Sequence, residues 1–387
     1  MRRFVSLWPA AAGAVLVLSA FAPPHLSLLV FVGLVPFFVA LMNGGARRSL
    51  ALGYLFGFMY IGGQMEWLQT LVVRWTHSWP LSIFTWLLAA FLGAWYFALF
   101  GWLANRCFRK GWPWMVPLLW AGIEVFRSYI PGLAFPWGLL ADPLYPFPAI
   151  IQDAYFGSIY LVSAWLALGS LVIALWISGQ AWRGLRPYAT AFILLLSLSL
   201  VRSSVPVEGR KYAVTLGQPG IDMAFGTPDE QRAMLGPAID QINRAAELNG
   251  SSLIVLPEGL VDAGTQMPPT LDFPLSPSVP TIFGGQRGGN PAYQTAFCFD
   301  GQKWTYADKN RLVIFGEYVP FRKWIPFLNA FQLPSGDLTP GEKLGLLDAR
   351  DVKVGPLVCF EGLFPDLAYR QARNGAQLLA VRTHHVS

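Results

Sequence analysis

Long apolar runs fill the first half of the chain, broken only by short polar intervals, and the second half has no such runs. A helix needs about 20 apolar residues to cross the hydrocarbon core of a bilayer. Runs of that kind lie near residues 5–22, 26–43, 49–72, 82–104, 113–130, 155–178 and 187–202. They predict a transmembrane domain of about seven helices over residues 1–205. The fifth run is interrupted: Pro113, Pro117 and Pro131 bracket it, and Glu124 and Arg127 sit inside it. Their i,i+3 spacing suits a structural ion pair on one helix face, with headgroup binding as the other reading. The stretch Pro131–Pro148, rich in proline and aromatic residues, is expected to lie at the interface or to re-enter. The opening Met1-Arg2-Arg3 and its apolar run have the form of a signal peptide. Pro23-Pro24 and a second apolar run come at once after it, without a small-residue cleavage site, so we read the first run as a retained span.

From about residue 208 the pattern changes to short β-type runs separated by turn clusters. These are Lys211–Leu216, Ser252–Leu256, Thr281–Gly284, Thr295–Phe299, Leu312–Phe315, Val352–Val358 and Leu378–Val381. Asp229–Leu248 and Pro365–Asn374 have helical periodicity. Strands mixed with helices predict an α/β layered domain over residues 206–387.

Composition agrees with the spans: only 13% of residues are charged, against about 25% in soluble domains. The formal charge of +6 does not form a nucleic-acid-binding patch, because the basic residues fall in small groups between apolar runs. Arg2 and Arg3 precede the first run, and Arg47 and Arg48 follow the second. Arg106, Arg109 and Lys110 follow the fourth, and Arg183 and Arg186 the sixth. By the positive-inside rule the N-terminus is cytoplasmic and everything beyond the seventh span is extracytoplasmic. Cys107, Cys298 and Cys359 form neither a CxxC pair nor a metal-type spacing, and the four histidines show no ligand pattern. Neither a disulfide framework nor a metal or other cofactor is expected.

Three places in the second domain can carry chemistry. Leu253-Ile254-Val255-Leu256-Pro257-Glu258-Gly259 is an apolar strand that presents a carboxylate at its tip. A rigid strand end is a good mount for a catalytic group, although a glutamate there is commonly a solvated loop residue. Asp308-Lys309-Asn310-Arg311-Leu312 leads into Phe315-Gly316-Glu317-Tyr318-Val319-Pro320, and Lys309 alone would pass for a surface lysine. Val358-Cys359-Phe360-Glu361-Gly362 delivers a cysteine at the end of another apolar strand. Free cysteine is often a small core hydrophobe, but at a strand-to-helix junction the helix amides are expected to lower the thiol pKa.

Taken together, Pro257-Glu258, Lys309 and Cys359-Phe360-Glu361 resemble the Glu-Lys-Cys triad of the nitrilase superfamily, which sits at strand ends of an αββα sandwich. The resemblance implies Glu258 as base, Lys309 as oxyanion support and Cys359 as nucleophile, with the backbone N–H of Phe360 completing the oxyanion hole. Glu317 and Glu361 match further acidic positions, implying that they orient Lys309 and shape the pocket. The membrane half resembles the apolipoprotein N-acyltransferase family in three places: Phe58–Trp67, Pro117-Leu118-Leu119-Trp120 with Glu124 and Arg127, and Phe135-Pro136-Trp137-Gly138. Lys309–Pro320 also matches that family's K-x-x-L-V-x-F-G-E-x-V-P. The implied reaction is ping-pong acyl transfer, from a phospholipid through a cysteine thioester to the α-amine of diacylglyceryl-cysteine on an apolipoprotein. It implies a monomer in the bacterial inner membrane. The apolar segment Phe321–Pro334 then reads as an arm that dips into the bilayer surface, with Trp324, Phe327 and Phe331 meeting acyl chains. Packing of that segment on the domain's own core is the alternative.

The sequence departs from the family at two points. Phe360 replaces a common tyrosine. Leu378–Ser387 also lacks the S-N-D-x-W-F-type segment, later strands and last span of the family, so the second domain is expected to be incomplete at its C-terminus. A membrane-tethered amide hydrolase with the same triad, and an inactive truncated scaffold, remain the competing functions.

Overall fold

The computed structural model describes residues 6–21, 23–206, 208–221, 227–326, 333 and 336–382. The chain forms two compact units, Met1–Val207 and Glu208–Ser387.

The first unit is helical. Its elements are α1 (Trp8–Phe21), a 3-10 turn at Pro24–Leu29 running into α2 (Val30–Gly33) and α3 (Val35–Met42), α4 (Ala46–Gln64), α5 (Trp67–Thr76), α6 (Trp79–Arg109), α7 (Met115–Tyr129), α8 (Ala154–Ile177) and α9 (Trp182–Ser203). Helices overlie all seven apolar runs. Four stretches among the described residues are long and apolar enough to cross a membrane: Pro24–Met42, Trp79–Arg109, Ala154–Ile177 and Trp182–Ser203. The longest, α6, begins where Ser78 Oγ accepts the Leu81 N–H at 3.4 Å and Pro80 occupies the first turn, a position where its missing N–H costs nothing. Outward it exposes Phe84, Leu88, Phe91, Leu92 and Trp95, a surface suited to lipid rather than water.

Helix α4 packs on α6 through glycine. A Cβ at Gly53 would lie 2.1 Å from the Phe97 carbonyl oxygen, so the two backbones touch where no side chain fits, as small residues allow between membrane helices. The charges of α7 are buried but do not pair with each other, contrary to what their spacing suggested. Glu124 Oε1 accepts from Trp120 Nε1 at 2.9 Å and from the Leu140 N–H at 2.8 Å. Arg127 donates to the carbonyls of Trp137 at 2.6 Å and Gly138 at 3.1 Å. Both therefore stitch the segment after α7 onto the helices. Backbone groups that cannot reach water in a membrane must find such partners.

The second unit is an α/β sandwich. Its main sheet runs β1 (Val214–Leu216), β2 (Leu253–Val255), β4 (Thr281–Gly288), β5 (Ala292–Phe299), β6 (Trp304–Asp308), with β3 (Val261–Asp262) beside β4. A second sheet runs β7 (Leu347–Ala349), β8 (Val352–Val358), β9 (Leu378–Arg382). Strand alternation puts successive side chains on opposite faces. Leu253, Val255, Ile282, Ala296 and Cys298 meet Leu347, Val352, Val354 and Val358 in the core between the sheets. Ile254, Leu256, Phe283 and Phe297 pack on the other face with Leu235 and Ile239 of α10 (Pro228–Leu248). That helix opens with a capping box in which Thr227 and Glu230 satisfy each other's backbone N–H groups. Helix α11 (Pro365–Arg373) covers the second sheet, with Gln371 Nε2 donating to the Pro356 carbonyl at 3.2 Å. Leu312–Phe315, expected as a strand, is a turn with Phe315 at φ +56°. It folds around the Lys309–Glu317 pair instead of joining a sheet.

Gly53→Ala is expected to force α4 and α6 apart and to destabilise the helical unit by about 2 kcal/mol, as overpacking does. Thermal unfolding in detergent, monitored by helical signal, measures it; stability equal to the parent contradicts the close approach.

Candidate active site

Glu258, Lys309 and Cys359 stand just beyond the C-terminal ends of β2, β6 and β8. Two of these strands belong to the main sheet and one to the second, so the sandwich itself brings the three together. Gly284 on β4 makes room for the first. A Cβ there would lie 2.6 Å from Glu258 Cα, while the Gly284 N–H donates to the Pro257 carbonyl at 3.0 Å and the Leu260 N–H to the Gly284 carbonyl at 2.8 Å. Glycine in a strand interior marks such an approach of backbone.

Lys309 is 1% exposed. Its Nζ lies 2.7 Å from Glu317 Oε1, and Glu317 Oε2 accepts the Val313 N–H at 2.9 Å. Burial pulls the lysine pKa down, but the charges of Glu317, Glu258 and Cys359 outweigh it and leave the ammonium above its ordinary value. A buried charge persists only when it is paired in this way. Lys309 is thus a fixed cation.

Cys359 stands at the end of β8 with φ at +52°, a left-handed conformation that costs a non-glycine residue about 1–3 kcal/mol and concentrates at functional turns. Its thiol is within hydrogen-bonding reach of the Glu258 carboxylate. Burial first, then the Glu258 charge, push the thiol pKa up to about 12, with Lys309 pulling the other way. This reverses the expected lowering by helix amides. Cys359 opens a five-residue 3-10 turn, Cys359–Leu363, too short to set much dipole against that burial. At neutral pH the group is a thiol.

Glu361 ties the cysteine turn to the lysine loop. Its Oε2 accepts the Val358 N–H at 3.0 Å, and Oε1 accepts the N–H groups of Asn310 at 2.7 Å and Arg311 at 3.1 Å. Phe360 is buried, its ring edge-on to Phe364 at 5.1 Å. Trp324 is 84% exposed and stands apart from the core. Phe327 and Phe331 lie outside the described residues, as do His384 and His385. No cluster of three or more His, Cys, Asp or Glu side chains suited to a metal occurs among the described residues. Two contributors are not among the residues expected from sequence. Gly284 is signalled there by the Gly284-Gly285 pair in a strand. Arg382, buried at the end of β9, carries no local signal at all.

A helical unit with membrane-length spans is thus followed by an αββα sandwich that carries a carboxylate, a lysine and a cysteine just beyond three strand ends. Comparison with known proteins is more specific. The family model described as the apolipoprotein N-acyltransferase N-terminal domain matches residues 12–172. The apolipoprotein N-acyltransferase of Geobacter metallireducens is 29% identical over 395 residues, covering 95% of this chain and 75% of that protein. That of Pseudomonas paraeruginosa is 28% identical over 411 residues, covering 97% and 78%. Saccharomyces cerevisiae Nit3, a solved member of branch 10 of the nitrilase superfamily, matches at 20% identity with a TM-score of 0.27, over 44% of this chain and 62% of that one. Over nearly its whole length the chain is thus similar to apolipoprotein N-acyltransferases, and residues 12–172 match the model of their N-terminal domain.

Alkylation of Cys359 by iodoacetamide is expected to quicken steadily from pH 7 to pH 10, because a pKa of about 12 keeps the thiolate fraction rising throughout. Lys309→Met should slow it at every pH, since the cation that favours the thiolate is gone. Peptide mass spectrometry reads the site; a plateau near pH 8.5, about the value of a free thiol, contradicts the assignment.

Proposed function

We propose that this membrane protein transfers an acyl chain from a phospholipid, through a thioester on Cys359, to the N-terminal amine of diacylglyceryl-cysteine on an apolipoprotein. The observation that carries the chemistry is the convergence of a protonated, strained Cys359, a Glu258 carboxylate within its reach, and the buried Lys309 cation.

Glu258 takes the Cys359 proton as sulfur attacks the ester carbonyl carbon of the donor. Negative charge develops on the carbonyl oxygen, where Lys309 Nζ and the backbone N–H of Phe360 stabilise it. Collapse breaks the carbon–oxygen bond to glycerol, and Glu258 returns the proton to the departing lysophospholipid alcohol. In the second half the free α-amine attacks the thioester carbonyl and gives up a proton to Glu258. Sulfur then leaves and recovers its proton, giving the N-acyl product and the starting enzyme. Glu317 holds the lysine against the strand end, and Glu361 holds the turn.

Both substrates are lipid-anchored, which suits a catalytic domain tethered by transmembrane helices. The arm with Phe321 and Trp324, 45% and 84% exposed, suits contact with acyl chains, and Phe327 and Phe331 would extend it. The basic loops support a bacterial inner-membrane location with a cytoplasmic N-terminus and residues 206–387 on the periplasmic side. Each chain carries one full triad, so a monomer suffices.

The test incubates the chain, in phospholipid vesicles, with a synthetic diacylglyceryl-cysteine peptide. The peptide should gain one acyl chain on its amine, and Cys359→Ala and Glu258→Gln should each reduce the rate at least about 1000-fold, as loss of a nucleophile or base does. Free fatty acid with unmodified peptide would identify a hydrolase. No acyl release at all would mean an inactive chain.

A further inference from the structure

Arg382 closes β9, in register with Val358, the residue before Cys359. It is 2% exposed, and Nε, Nη1 and Nη2 have no hydrogen-bond partner. Buried guanidinium groups are ordinarily paired and bonded at several positions, so this one needs a reason. Its position supplies one. Nη1 lies 3.1 Å from where a Cβ on Gly284 would sit, and Glu258 Cα and Cβ lie 2.6 and 3.1 Å from the same point. Arg382 and Glu258 thus share the space that the missing side chain of Gly284 leaves open.

The charges of the centre point the same way. Three carboxylates, Glu258, Glu317 and Glu361, surround one lysine, and Lys309 is bonded to Glu317. Arg382 interacts electrostatically with Glu258, Glu361 and the Cys298 thiol, and Glu258 also with Lys309 and Cys359. Burial lowers the Arg382 pKa to about 10, against the pull of Glu258 and Glu361, so the group is still a cation at neutral pH.

We propose that Arg382 is a positioning residue of the acyl-transfer centre. Its guanidinium, beside the Glu258 backbone over Gly284, positions the Glu258 side chain by charge rather than by a hydrogen bond, leaving the carboxylate oxygens free to take the Cys359 proton. The proposal rests on Glu258 being the base of the reaction above. It adds a second cation, supplied by the strand next to the nucleophile's own, to the Glu-Lys-Cys set. A carboxylate that loses a neighbouring cation is protonated more readily.

The test uses the full chain in detergent micelles and p-nitrophenyl butyrate, tracking acylation of Cys359 by peptide mass from pH 4 to pH 9. In Arg382→Met the acid limb of the rate should move up by about one pH unit or more, and in Arg382→Lys it should return toward the parent position. A limb that stays in place in Arg382→Met overturns the proposal while acyl transfer stands. If Arg382→Met does not fold, thermal unfolding of Glu258→Gln is compared with that of Glu258→Gln/Arg382→Met. The double variant should be the more stable, because it no longer buries a cation without its carboxylate; a double variant no more stable overturns the proposal. Should the parent show no acylation of Cys359, the acyl-transfer reading fails, and the stability comparison alone decides the charge coupling.

Discussion

One buried carboxylate sets the geometry on which the candidate centre depends. Glu361 is 3% exposed and accepts three backbone N–H groups, one from the end of β8 and two from the loop after β6. These strands belong to different sheets, so Glu361 fixes the distance between nucleophile and cation across the sandwich. Burial raises its pKa against the combined pull of those N–H groups and Lys309. Hydrogen bonds to a charged acceptor are the strong ones, and without them the buried Val358 N–H and the half-buried Asn310 and Arg311 N–H groups would be left unsatisfied. Electrostatic catalysis needs donors fixed before charge develops, and this carboxylate fixes them.

Around it, the charges divide the work of holding the site. Glu317 neutralises Lys309 and pins the next turn. Gly284 lets Glu258 approach, and burial keeps Cys359 a thiol. A cysteine held as a thiol resists adventitious oxidation. In the helical unit the same economy appears: Glu124 and Arg127 each bind backbone in the segment that contains Phe135-Pro136-Trp137-Gly138.

Much of this is legible in the sequence. All seven apolar runs correspond to helices, because length and hydropathy alone govern such segments. Apolar, β-type runs between turn clusters locate β1, β2, β4, β5, β8 and β9, and the residues presented at their tips or in motif order include Glu258, Lys309 and Cys359. Strands without an apolar run of their own are not legible. β3, β6 and β7, of two, five and three residues, exist through pairing with neighbours rather than through their own pattern. Leu312–Phe315 has β-type residues but is bent by the salt bridge it encloses. The thiol pKa runs opposite to the sequence expectation because local helix position is visible in sequence and burial, a tertiary property, is not. Arg382 is silent for the same reason: at the end of an apolar strand nothing local reveals that the guanidinium turns inward beside Glu258.

The most direct measurement of the central claim supplies the chain with a phospholipid bearing an alkyne-tagged acyl chain, in the absence of acceptor, and looks for the tag on Cys359. The account predicts a hydroxylamine-sensitive adduct on the peptide containing Cys359, absent from Cys359→Ala. Tag found on another residue, or retained by Cys359→Ala, would contradict it.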